Sequence, residues 1–199
     1  MSTTYTDVDR MILDRWEEVS QLIEARGELE ERIAAVVGAA GDRLERWLDP
    51  KGYDIEVDTK GAEFSVYRRT WQAKKKGAAV YFVLGGFCPR GYRRNDEPYP
   101  SLWLQTSSLE NYRLKGADMR AFAAELRQEL GPAFADWDHD HCDDLKWPLV
   151  QYMPKYDDRR RCELVSSSED LYAFAVEVLP RAFEISDAVD RCVTKVLAR

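Results

Sequence analysis

The chain has 199 residues, 45% of them hydrophobic and 33% charged, with a formal net charge of −7. That length suits one sizeable domain with its own core, read here as a single α+β domain over residues 1–199. Eleven Gly and eight Pro are too few for a disordered or collagen-like chain, no apolar run approaches the ~18 residues of a membrane span, and the net acidity excludes coating nucleic acid by bulk charge, although not a local basic patch.

Residues 1–49 read as a helical segment. Met11, Ile12, Trp16, Val19, Leu22, Ile23, Leu29, Ile33, Val36, Val37, Leu44 and Leu48 keep one face apolar at helical spacing. Asp7 or Asp9 can accept the free amide hydrogens of the first turn. Asp49-Pro50 closes the run, because the residue before a proline leaves the helical region. An unbroken helix from Asp7 to Leu48 would reach roughly 60 Å, which is long for a domain of this size. Gly27, Gly38 and Gly41 each cost about 1 kcal/mol against Ala. The expectation is therefore a helical hairpin or a kinked pair, with one long helix as the rival.

Residues 50–199 should hold a sheet and further helices. From Lys51 the apolar period changes from 3.6 to 2. Ile55 and Val57 alternate with charged neighbours, Thr59-Lys60-Gly61 offers a turn, and Phe64 and Val66 alternate with Ser65 and Tyr67, so a β-hairpin is expected. Ala78 to Leu84 is apolar at nearly every position and reads as a strand covered on both faces. Ser101 to Thr106 reads as another strand, with Leu102 and Leu104 facing one way and Trp103 and Gln105 the other. The long Gly- and Pro-containing stretch between these two strands is a loop of the length that often carries function.

Ala117 to Leu130 returns to helical spacing and ends at Gly131-Pro132. Trp147 to Tyr152 is a candidate fifth strand. The serines at 166–168 followed by Glu169 and Asp170 supply helix-start chemistry. The last helix carries Leu171, Phe174, Val178, Ala182, Ile185, Val189 and Val193, and Pro180 should kink it. The fold class is thus α+β: N-terminal helix or hairpin, a mainly antiparallel sheet of four or five strands, and two packing helices.

Charge is unevenly spread. Residues 1–50 carry six basic and twelve acidic side chains, whereas residues 51–100 carry ten and six. No acid falls between Glu63 and Asp96, a window holding Arg68, Arg69, Lys74, Lys75, Lys76, Arg90, Arg93 and Arg94 together with Trp71 and Tyr92. Guanidinium groups fork onto phosphate or carboxylate, and aromatic faces stack on bases or cations. Brought together on a sheet rim, such groups would focus a positive field for nucleic acid or an acidic protein. The plainer alternative is that these cations pair with the acidic N-terminal helices of the same molecule.

Both histidines lie in the acidic segment 136–144, where His139, His141 and Asp143 offer ligand types for a divalent metal; ligands spaced at i and i+2 converge from a strand only with a further ligand from elsewhere to close such a site. GxxxxGK[ST], HExxH and GxSxG are all missing. Cys88, Cys142, Cys162 and Cys192 form no C-x-x-C pair, and Cys192 sits among valines at helical spacing. The start, MSTTYTDVDR, has no apolar stretch behind a positive end, so a cytoplasmic protein with reduced thiols is expected.

Trp147-Pro148-x-x-x-Tyr152, the Asp157-Asp158 spacer and the closing amphipathic helix, preceded by the apolar strand Val80 to Gly85, resemble the C-terminal region of some bacterial PD-(D/E)xK-superfamily nuclease-like proteins. The resemblance covers roughly the second half of the chain. In that superfamily an upstream acid and a (D/E)-x-K strand hold a divalent metal. The nearest tripeptide here is Asp58-Thr59-Lys60, with Asp49 or Asp54 upstream, and it falls in a hairpin turn, so no catalytic residue is carried over. The resemblance implies a non-catalytic accessory domain of the kind found in phages, mobile elements or defence loci.

The expectation is a binding or accessory protein that uses its basic, aromatic-rich segment on nucleic acid or an acidic protein surface, with no cofactor and no membrane contact. One alternative is a metal-dependent nuclease-like hydrolase. The other is a structural protein that self-associates through its N-terminal helices.

Overall fold

The computed structural model describes residues 6–73, 77–94, 97–112, 114, 116–137 and 147–197. Helix α1 (Asp7–Asp14) starts at a reciprocal cap: the Thr6 hydroxyl accepts the Asp9 amide at 3.2 Å, and the Asp9 carboxylate accepts the Thr6 amide at 2.7 Å. Arg15, at φ −123 and ψ 34, interrupts the helix for a single residue. Helix α2 (Trp16–Leu48) then runs 33 residues, about 50 Å. It passes through Gly27, Gly38 and Gly41 without a break. The hairpin expectation is therefore corrected: the long helix forms, and its one interruption precedes every glycine. Packing outweighs the propensity cost, since Ile33, Val37, Ala40, Leu44 and Leu48 are all buried.

Among the described residues, five antiparallel strands form one sheet in the order β1-β2-β5-β6-β7. These are β1 (Tyr53–Asp58), β2 (Glu63–Arg68), β5 (Tyr81–Gly85), β6 (Ser101–Gln105) and β7 (Leu149–Tyr152). A separate two-stranded ribbon, β3 (Gln72–Ala73) with β4 (Gly77–Ala78), takes the start of what the sequence presents as one strand from Ala78. The β1–β2 turn is held by Asp58, whose Oδ1 accepts the amides of Lys60 and Gly61, both at 2.9 Å. Asp58 is thus occupied as a turn cap.

Register places alternate side chains on opposite faces. Phe64 pairs with Leu84, and Leu84 with Leu102; Val66 pairs with Phe82, and Phe82 with Leu104. All six are fully buried and form the core face beneath the helices. Glu63, Trp103 and Tyr152 occupy the other face and stay partly exposed. Val83 and Val150 are buried on that face outside the main core cluster.

Helix α3 (Gly116–Leu130) packs on α6 (Pro180–Leu197), where Lys195 and Arg191 pair with Glu125 and Glu129. Helix α5 (Ser168–Val178) is capped by Ser167, which accepts the Asp170 amide at 3.1 Å. Pro180 opens α6 as a new helix instead of kinking one, since the first helical position needs no amide hydrogen. Helix α4 (Asp158–Leu164) was not legible in the sequence, where it passes for a charged spacer. Its Arg161 is fully buried.

Cys88 and Cys192 are buried thiols, and Cys162 is an exposed one. Among the described residues no helix is long and apolar enough to cross a membrane.

Candidate functional site

The basic segment leaves the sheet at two opposite ends. Because β2 and β5 run antiparallel, Arg68 ends β2 beside the start of β5, while Arg90, Tyr92 and Arg93 follow the end of β5 beside Glu63. A six-residue strand, about 17 Å, separates the two groups. The single cationic ridge expected from composition is therefore not assembled.

Each arginine described in full also meets an acid of its own chain. Arg68 donates to Asp187 at 2.6 Å, to Ser186 Oγ at 2.7 Å and to the Tyr53 hydroxyl at 3.1 Å. Arg69 bridges Asp54, at 2.8 Å, and Asp49. Arg90 Nε donates to Asp158 at 2.9 Å, and Arg93 donates to Glu31 at 2.6 Å. Exposed pairs of this kind add little stability, but they cancel the local field. Pairing with acids of α2 holds only for Arg93. The acids that meet the other three come from the turn after α2 and from β1, α4 and α6.

The aromatic members are absorbed by the fold. Trp71 has no exposed surface; its indole donates to Asp190 at 2.9 Å and its ring lies 5.5 Å from that of Phe82. It has no face for stacking on a base. Tyr92 is buried against α2, its hydroxyl 3.3 Å from the Thr59 carbonyl and 3.5 Å from that of Glu30. Lys74, Lys75 and Lys76, the Arg94 side chain, and His139, His141 and Asp143 lie outside the described residues. Among the described residues no group of three or more His, Cys, Asp and Glu is placed to hold a metal ion.

The loop that follows β5 does a different job: it clamps the root of α2. Arg26 Nη2 donates to the Gly91 carbonyl at 2.5 Å, and Arg93 reaches Glu31 one turn further along. From below, Arg161 donates to the carbonyls of Gly86, at 3.0 Å, and Glu97, at 2.8 Å, and pairs with Asp158, which also holds Arg90. Hydrogen bonds from Arg90, then from Arg161, hold the Asp158 carboxyl well below its ordinary range.

Beyond this clamp α2 and α1 project as an arm. No residue of α1, and none of α2 before Ile33, is buried. Seven of the nine large exposed hydrophobics among the described residues lie here: Val8, Met11, Leu13, Trp16, Leu22, Ile23 and Leu29, from 52% to 70% exposed. Leu22 and Leu29, seven residues apart, stand in the row that continues at spacings of three and four through Ile33, Val37, Ala40 and Leu44. One apolar stripe therefore covers the sheet with its C-terminal half and is bare along its N-terminal half.

The arm is acidic as well as apolar. Between Thr6 and Arg32 the chain carries nine acidic and four basic side chains. Sequence spacing revealed the stripe but not which half of it the body would leave uncovered. Compared with known proteins, the chain matches no family model, no curated protein and no solved structure at a significant level.

Proposed function

We propose that this chain is a non-catalytic binding protein whose projecting helical arm docks along an amphipathic, basic helix of another protein. The observation that carries the reading is the continuity of the stripe: the row buried from Ile33 to Leu48 continues bare through Leu29 and Leu22. An exposed apolar strip of this extent, rimmed by charge, is the usual mark of a protein contact. The acid excess favours a partner helix whose apolar face is flanked by Lys and Arg, and it sets two copies of the arm against each other. The arginines expected to bind nucleic acid are already paired, which moves the binding role from the basic loops to the arm.

The test compares the full chain with a Leu22→Glu, Ile23→Glu variant as bait in the producing cell, with sedimentation equilibrium of each alone. The wild type retains one protein containing a basic amphipathic helix, the variant loses it, both melt alike, and both sediment as single copies. A stable dimer of the wild type, or retention of the same partner by the variant, overturns the reading.

A further inference from the structure

On the sheet face opposite the core a pocket of about 290 Å³ opens, lined by Glu63 of β2, Glu97, Trp103 of β6, Trp147 and Tyr152 of β7. It lies where β5 ends, beside Gly86. A Cβ at Gly85 would fall 2.7 Å from the Trp103 ring and 3.1 Å from Glu63 Cγ, so the missing side chain lets the indole lie across β5 beside the carboxylate.

One feature of this pocket is unexplained by folding. The Glu63 side chain is half-buried yet takes no hydrogen bond and no ion pair among the described residues. Burial first, and the neighbouring charges of Asp58 and Glu97 second, raise its carboxyl above the ordinary glutamate value. A partly buried carboxylate without a counter-charge costs stability, and such groups gather where a ligand supplies what the fold does not.

We propose that this pocket binds a compact organic cation, an alkylammonium group, held by the Glu63 carboxylate against the rings of Trp103, Trp147 and Tyr152. The volume falls at the small end of ligand pockets, which suits an amine on a short alkyl chain. Carboxylate supplies the charge-assisted hydrogen bonds, and electron-rich ring faces attract the same cation while covering its methylene groups. A hard divalent metal wants six or more oxygen ligands, and a wall of three aromatic rings does not provide them. The ammonium has two sources, a free amine or a lysine side chain on another protein.

The experiment is calorimetric titration of the full chain with butylammonium, with tetramethylammonium, with a short lysine peptide blocked at both ends, and with the neutral methyl glucoside. The same titrations are run on Glu63→Gln and Trp147→Ala, with melting curves to confirm that both fold. Ammonium probes bind the wild type, and Glu63→Gln weakens them about tenfold or more. Trp147→Ala weakens them several-fold. Binding of the lysine peptide as tight as butylammonium assigns the pocket to a protein-borne side chain; binding of butylammonium alone assigns it to a free amine. No heat with any cation at about 10 mM, unchanged affinity in Glu63→Gln, or binding of the glucoside in place of the cations overturns the proposal.

Discussion

Val57 occupies the space that any side chain at position 41 would need: a Cβ on Gly41 would lie 2.5 Å from Val57 Cγ2. This contact sets how closely α2 approaches β1, and with it the direction in which the arm leaves the body. Gly41→Ala should destabilise the protein by about 1–3 kcal/mol, although alanine favours a helix. At Gly27 a Cβ would meet nothing within 4 Å, so Gly27→Ala should stabilise by up to about 1 kcal/mol. Urea midpoints of the two variants should move in opposite directions; a common direction would contradict the close approach.

The same stripe should respond in two ways along its length. Leu44 is fully buried, and Leu44→Ala should cost about 2–5 kcal/mol. Leu22 is 70% exposed, and Leu22→Ser should change stability by no more than about 0.5 kcal/mol. Thermal melts of the isolated chain check both. A large loss at Leu22 would mean that the arm is covered by the chain itself.

Arg161 has no exposed surface and holds Gly86, Glu97 and Asp158 together. Arg161→Met should cost about 2–4 kcal/mol, because it leaves the Gly86 and Glu97 carbonyls without their donor and Asp158 with only one of its two arginines. Limited proteolysis should then cut first between residues 86 and 100. Cleavage elsewhere, with the loop intact, would show that the loop is pinned by other contacts.

Two of the perturbed carboxyls, Asp158 and Glu63, give pH effects of opposite sign. The folded-state value of Asp158 is lowered, so its pairing with Arg90 and Arg161 adds stability at pH values above the unfolded value of about 4. That stability is lost as the pH falls toward the lowered value. Glu63 is raised, so stability falls as the pH rises from its unfolded value, about 4.3, through the raised one. Asp158→Asn should therefore flatten the acid limb of a stability–pH curve. Glu63→Gln, which removes the charge facing Asp58 and Glu97, should raise stability at neutral pH. Denaturation midpoints across pH 3–8 decide both, and a drop in stability for Glu63→Gln at neutral pH would contradict the unpaired carboxylate.

Local patterns made much of the fold legible. The alternation of Leu102, Trp103 and Leu104 set the faces of β6, the serine–acid spacing at Ser167 and Asp170 marked the start of α5, and the apolar row of residues 11–48 marked that stretch as helical, though not as one long helix. Glycine propensity misled at positions 38 and 41, where tertiary packing on β1 and α5 outweighs about 1 kcal/mol per residue, and at Gly27, which nothing packs against, that cost alone does not break the helix. The site was harder. Arg68 meets Asp187 across 119 positions and Arg90 meets Asp158 across 68, so composition showed a basic window whose cancellation came from distant segments. The pocket joins Glu63, Glu97 and Trp103 from three segments, and no spacing rule connects them. Arg161 was unreadable because a charged residue carries no pattern of burial.

Site-specific photo-crosslinking from Leu22, in the intact chain and in the producing cell, bears most directly on the arm. It should yield one adduct to another protein, mapped to a helical segment with apolar residues at heptad spacing and Lys or Arg on its flanks. An adduct between two copies of this chain, an adduct to nucleic acid, or a crosslink back into the chain's own body would contradict it.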